Sequence, residues 1–229
     1  MEYPHNRPYT ADDLVRIITL LRDPVNGCPW DKVQTHTSIR MNFLEEAYEA
    51  VDALDLDDPV LMCEELGDVL MQVAFHTCME QETGRFTWEQ VCDGVCQKLI
   101  ERHPNIFGTQ PGYEGITDWD ALKNKEKGRR TLADDLESVP CAMPALMRAA
   151  KLQKRAARHG AALQGADAAA LADAAENLQT AQPASAQAEQ AVGELLFAAA
   201  NLARQAGVDP EQALQKANEA FCTAAGPVA

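Results

Sequence analysis

The chain is poor in aromatic residues, in positive charge and in long apolar runs, and its cysteines follow no pairing pattern. Phe, Tyr and Trp make up 6% of its 229 residues, and alanine dominates the last third, a composition that favours helices. Lys and Arg number 20 against 35 Asp and Glu, for a formal net charge of −15. That balance excludes a nucleic acid polymer held along its phosphate backbone, because such binding needs a basic surface. A small phosphate ligand carried by metal ions stays open. No segment reaches the roughly 18 uninterrupted apolar residues of a membrane span, and MEYPHNRPYTADD lacks the apolar stretch of a secretory signal. The expectation is a soluble, cytoplasmic protein with no membrane partner. Seven cysteines, an odd number without a CxxC pair, fit reduced thiols rather than a disulfide framework or a zinc site. Cys92 and Cys96 stand alone at their spacing and read as small buried hydrophobes.

What is present is almost entirely helical pattern, and the length suits one large or two small domains. Thr10 caps a first helix with Leu14, Ile17, Ile18 and Leu21 on one face, ended by Pro24 and Gly27. After the loop DPVNGCPWDKVQTHT a second helix runs from about Ser38 to Leu54. Its expected buried face is Phe43, Leu44, Ala47, Tyr48, Val51 and Leu54, with Glu45, Glu46, Glu49 and Asp52 opposite. Pro59 opens the third helix and Gly84 closes it. Thr87-Trp88-Glu89-Gln90 is a capping box for a fourth helix that stops at His103-Pro104. This predicts an N-terminal four-helix domain over residues 1–103.

Residues 104–159 read as a connector: a Pro- and Gly-rich loop to 117, then short helices around Asp118 to Gly128 and Leu146 to His159. The last is basic, with Arg148, Lys151, Lys154, Arg155 and Arg158, a pattern of either a solvated face or a phosphate contact. Residues 160–229 carry an echo. Gly67-Asp68-Val69-Leu70, followed by Gly84 and a capped helix, recurs as Gly193-Glu194-Leu195-Leu196, followed by Gly207 and Asp209-Pro210-Glu211-Gln212. That is an internal repeat.

Asp68 inside the apolar run LGDVLMQVAF, and Glu65 just before it, ask for a partner, because a buried carboxylate is costly unless paired, protonated or bound to a cation. Glu46 and Glu49 are three apart, as are Glu65 and Asp68, so each pair shares one face of its helix. Two helices joined by a short turn bring four carboxylates together with no His or Cys, a donor set for Mg²⁺ or Mn²⁺. Glu45 faces the side of Glu49 and is either the group that orients or deprotonates the attacking water or a solvated acid. Lys98 and Arg102, four apart on the fourth helix, complement a phosphate ligand. Trp30 either stacks on a base or caps the core, and Lys32 is a further phosphate candidate.

GCPWDKVQTHTSIR, FLEEAYEAVDA, EELGDVLMQVAFH, GRF and KLIERHPNIFG resemble the N-terminal domain of MazG-type nucleoside triphosphate pyrophosphohydrolases. DWDALKNKEK, PALMRAAKLQKRAARHG and VGELLFAAANLARQAGVDPEQALQKANEAF are similar to the linker and C-terminal domain of the same family. The resemblance implies an all-α fold of tandem helical bundles completed by pairing across a homodimer. It also implies Mg²⁺-dependent cleavage of a nucleoside triphosphate to the monophosphate and pyrophosphate, as in house-cleaning of the nucleotide pool. On matching positions, Glu46, Glu49, Glu65 and Asp68 become the metal ligands, and Lys98 and Arg102 the phosphate contacts.

The repeat departs from that pattern in its second half. Counted from the glycine, Glu65 becomes Ala191 and Asp68 becomes Glu194. Counted from the helix caps, Lys98 and Arg102 become Ala220 and Ala224. The first acidic pair persists only as Asp173 and Glu176. Activity is therefore expected in residues 1–103, with residues 160–229 silent. A ferritin-like di-iron site needs Glu-x-x-His, and no Glu here is followed by His at that distance. The competing reading is a non-catalytic helical module that binds nucleotides or regulates.

Overall fold

The computed structural model describes residues 3–5, 7–108, 124 and 126–226. It divides into two compact units, Met1–Ile116 and Thr117–Ala229. Among the described residues the regular structure is all helical, with no strand. None of these helices is long and apolar enough to cross a membrane.

In the first unit, α1 (Ala11–Leu21) starts at a full capping box between Thr10 and Asp13. α2 (Arg40–Asp55) and α3 (Pro59–Thr83) form a hairpin. The Asp58 carboxylate caps α3 by accepting from the amides of Val60 and Leu61, and Asp57 takes the link through a left-handed backbone, φ 53°. Gly84, at φ 72°, ends α3 where a Cβ would be strained. α4 (Trp88–Arg102) follows on the Thr87–Gln90 capping box, and Pro104 opens the single turn α5 (Pro104–Phe107), inside the stretch expected to be loop. The core gathers Ile18, Ile39, Ala74, Phe75, Cys78, Met79 and Trp88. Trp88 is buried, while Trp30 is 57% exposed and does not cap the core. All seven cysteines are free; Cys92 packs against the core but Cys96 is exposed.

The second helix is turned differently from its sequence pattern. Ala50 and Ala53 are its buried residues, whereas Leu44, Tyr48, Val51 and Leu54 are all more than a third exposed. Small alanines let α2 approach α3 closely, and that approach points Glu46 at α3 and leaves the large apolar stripe outside.

The second unit holds α6 (Leu132–Glu137), α7 (Ala145–Arg158), α8 (Ala168–Thr180), α9 (Ala186–Gln205) and α10 (Pro210–Ala225). The helix expected around Asp118 to Gly128 lies mostly outside the described residues. α8 and α9 pair as α2 and α3 do, and Gly207 (φ 73°) with the Asp209 cap repeats the exit into a return helix. α7 packs on α6, α9 and α10, and two of its basic residues, the buried Arg155 and the exposed Arg158, pair with one buried acid. Asp135 is 1% exposed. Arg155 Nη1 meets its Oδ1 at 3.0 Å, Arg158 meets Oδ2 at 3.1 Å, and His159 Nε2 reaches Oδ2 at 3.2 Å.

Candidate functional site

Glu46 and Glu49 lie one turn apart on α2, and Glu65 lies across the hairpin on α3. Each offers a carboxylate oxygen, and the three oxygens lie within 4.8 Å of one another. Among the described residues no other group of three His, Cys, Asp or Glu side chains comes this close. Asp68, one turn after Glu65 and half-buried, stands outside that set, yet its charge acts on both Glu46 and Glu65. Glu45 is exposed and also outside it. Burial, then repulsion from Asp68 and Glu49, holds the Glu46 carboxyl above the usual carboxylate range, against the opposing hydrogen bond from Gln72. Burial, then the charges of Glu64, Asp68 and Glu46, raises Glu65 likewise. An all-oxygen set under mutual repulsion fits a hard divalent cation, which would relieve the repulsion that otherwise favours protonation.

A polar stripe continues along α3 from these acids, with Gln72, His76 and Glu80 each one turn further. The Gln72 amide donates to Glu46 Oε1 at 3.3 Å. His76 stacks on His36, their Nδ1 atoms 2.7 Å apart, and tilts against Phe43. His36 Nε2 reaches Glu80 Oε1 at 2.6 Å, and Arg85 holds the other Glu80 oxygen at 2.6 Å. Two imidazoles joined Nδ1 to Nδ1 need one donor and one acceptor, so they cannot both be protonated without losing the bond. Burial, then the His36 charge, holds His76 below the usual histidine value. A depressed histidine contributes its stability above its unfolded value, about 6.5, and loses it as pH falls, because the unfolded chain then binds the extra proton. The urea midpoint is therefore expected to fall between pH 7 and pH 5, and to fall less in His76→Gln.

At the end of α1, Arg22 ties the loop before α2 to α3. Arg22, 8% exposed, donates to the carbonyls of Asp31 and Gln34 at 2.8 and 3.2 Å, and its guanidinium meets Glu82 through both carboxylate oxygens at 2.5 and 2.8 Å. Trp30 therefore projects from an anchored loop. Lys32 Nζ is engaged by its own loop, donating to the Pro24 carbonyl at 3.4 Å. Lys98 is exposed on the penultimate turn of α4 and Arg102 half-buried on the last. Motif and spacing do not single out Arg22, Gln72, Glu80 and Glu82 as site residues. Their signal in the sequence is weak: polar side chains at helical spacing inside an otherwise apolar run.

In the second unit Asp173 and Glu194 border an open cleft of about 570 Å³ with Asn177 and Phe197. Glu194 accepts from Gln190 Nε2 at 2.8 Å. Ala191, which takes the place of Glu65 in the repeat, is 2% exposed and brings no carboxylate.

Residues 34–107 match the family described as the MazG nucleotide pyrophosphohydrolase domain. The chain is similar to the nucleoside triphosphate pyrophosphohydrolase of Escherichia coli strain K12, at 41% identity over 92% of this chain and 83% of that one. It is similar to the nucleoside triphosphate pyrophosphohydrolase/pyrophosphatase MazG of Thermotoga maritima, at 39% identity over 92% and 82% respectively. The nucleoside triphosphate pyrophosphohydrolase of Mycobacterium tuberculosis is 34% identical over 66% of this chain and 46% of its own length.

Proposed function

Because this chain belongs to the MazG nucleotide pyrophosphohydrolase family, we propose that it hydrolyses nucleoside triphosphates to the monophosphate and pyrophosphate, at the acid cluster of its first unit. The observation that carries this reading is the convergence of Glu46, Glu49 and Glu65 from two helices onto one point. With Asp68 completing the set, these residues would hold Mg²⁺ or Mn²⁺. When bound, the ion would supply charge neutralisation along the triphosphate and would acidify water.

The chain's own groups do the rest. Glu45 orients and deprotonates the water that attacks the α-phosphorus in line. A water oxygen–phosphorus bond forms as the bond to the oxygen bridging α and β breaks, and that oxygen leaves with pyrophosphate. Lys98 and Arg102 neutralise charge on the leaving group. Trp30 offers an exposed ring face to the base, and Lys32, two residues on, is a phosphate contact. A homodimer is supported by the apolar stripe of Leu44, Tyr48 and Val51 on α2 with Leu66 and Leu70 on α3, all more than a third exposed in the single chain. The second unit is read as silent, since its hairpin lacks a counterpart of Glu65. The protein works in the cytoplasm, on nucleotides of the pool.

Pyrophosphate release is measured from ribo- and deoxyribonucleoside triphosphates with and without Mg²⁺ or Mn²⁺. Release from at least one substrate that depends on the cation is expected. Nucleotide binding without release from any triphosphate would instead identify a binding module.

A further inference from the structure

We propose that Gln72 is a positioning residue, whose amide holds the Glu46 carboxylate in the orientation that a divalent cation needs; this rests on the reading of the acid cluster as a metal site. Gln72 is 7% exposed, and its Nε2–H donates to Glu46 Oε1 at 3.3 Å. Its Oε1 is buried and has no partner among the described residues. Rotating the amide would satisfy neither group, since it would set the carbonyl oxygen against a carboxylate oxygen, acceptor against acceptor. The amide is thus committed to Glu46 while its other end stays unsatisfied. An apolar side chain of the same size would avoid that cost, so packing does not account for a glutamine here.

The internal repeat supports the same conclusion. At the same distance from the glycine, the second unit has Ala198 where the first has Gln72, and Ala198 is 0% exposed. The α8–α9 hairpin is built without the amide. The half that lacks the Glu65 carboxylate, replaced by Ala191, also lacks the glutamine.

The choice of donor follows from the charges. Asp68 and Glu49 repel the Glu46 carboxylate, and the Gln72 amide holds one of its oxygens from the facing helix. A lysine or arginine at position 72 would hold it but would neutralise the cluster and compete with the ion. A neutral amide donates one hydrogen bond and leaves the negative charge for the cation. Groups that orient metal ligands in this way typically change metal affinity about 10- to 100-fold when removed.

The test uses full-length protein with Mn²⁺ alone, titrated by calorimetry, in wild type, Gln72→Met, Glu46→Gln and the double variant. Gln72→Met keeps volume and removes the donor. Its melting temperature should hold or rise, its Mn²⁺ affinity should fall about 10- to 100-fold, and raising the metal should recover most of kcat. In the Glu46→Gln background the same change should have no further effect on Mn²⁺ affinity. Should Gln72→Met fold poorly, Gln72→Asn retains an amide one methylene too short and should show the same loss. Mn²⁺ affinity within twofold of wild type in a folded variant would overturn the positioning role alone. A wild type that binds no Mn²⁺ would overturn the metal-site reading and this proposal with it.

Discussion

Glu49→Ala is expected to lower cation-dependent pyrophosphate release by more than about 100-fold, since loss of a group that merely orients a ligand already costs about 10- to 100-fold. Glu194→Ala is expected to leave it within about twofold, the scatter expected of a distant, independent site. Glu49 is exposed and supplies one of the three converging oxygens, so its removal takes away a ligand without opening the core. It is also one of the charges that raise the Glu46 carboxyl. The metal-free variant should therefore melt no lower than wild type, which separates lost chemistry from lost folding. Mn²⁺, which should raise the melting temperature of wild type by binding the folded state, should do so far less in the variant. Release measured on both variants decides between the halves of the chain. Activity that survives Glu49→Ala and vanishes in Glu194→Ala would move the site to the second unit.

Asp135→Ala is expected to destabilise the second unit by about 3–5 kcal/mol, the range for removing one partner of a buried ion pair. Asp135 is 1% exposed and Arg155 6%, so the substitution strands a guanidinium that also donates to the Asp135 carbonyl and to Ser138 Oγ. Replacing the acid together with its buried partner, Asp135→Leu with Arg155→Met, should recover most of the loss, because the two cations that remain, Arg158 and His159, reach solvent. Urea denaturation followed by far-UV circular dichroism measures both. The pH dependence carries a sign as well. Burial pushes the Asp135 carboxyl up, but hydrogen bonds from Asn124 and His159 and the charges of Arg155 and Arg158 outweigh it and hold the group below its ordinary value. A depressed carboxylate stabilises the fold above its unfolded value, about 4, and the contribution is lost as pH falls through the lower folded value. Acid sensitivity below about pH 4 should therefore be weaker in the apolar double variant than in wild type.

Much of this protein is legible in its sequence because the relevant physics is local. Thr10, Thr87 and Asp209 announce helix starts two or three residues before the amides they cap, and Gly84 and Gly207 mark stops that need a positive φ. The three-residue spacing of Glu46 with Glu49, and of Glu65 with Asp68, puts each pair on one helix face by geometry alone. The loss of Glu65, Lys98 and Arg102 in the repeat is likewise a matter of counting residues.

Tertiary structure decided the rest. Periodicity assigns α2 a buried apolar stripe, but the hairpin packs through Ala50 and Ala53 and leaves Tyr48 and Val51 outside. A helical repeat of apolar residues says that a helix has a face, not which neighbour that face will meet. Spacing predicts four converging acids, yet three converge, with Asp68 acting on them through its charge. The contacts around and beyond the acid cluster pair across 26 residues for Gln72 and Glu46, 40 for His36 and His76, and 60 for Arg22 and Glu82. Such pairs leave no local spacing to read, because a hydrogen bond between distant segments exists only once the packing of the helices has brought its two ends together.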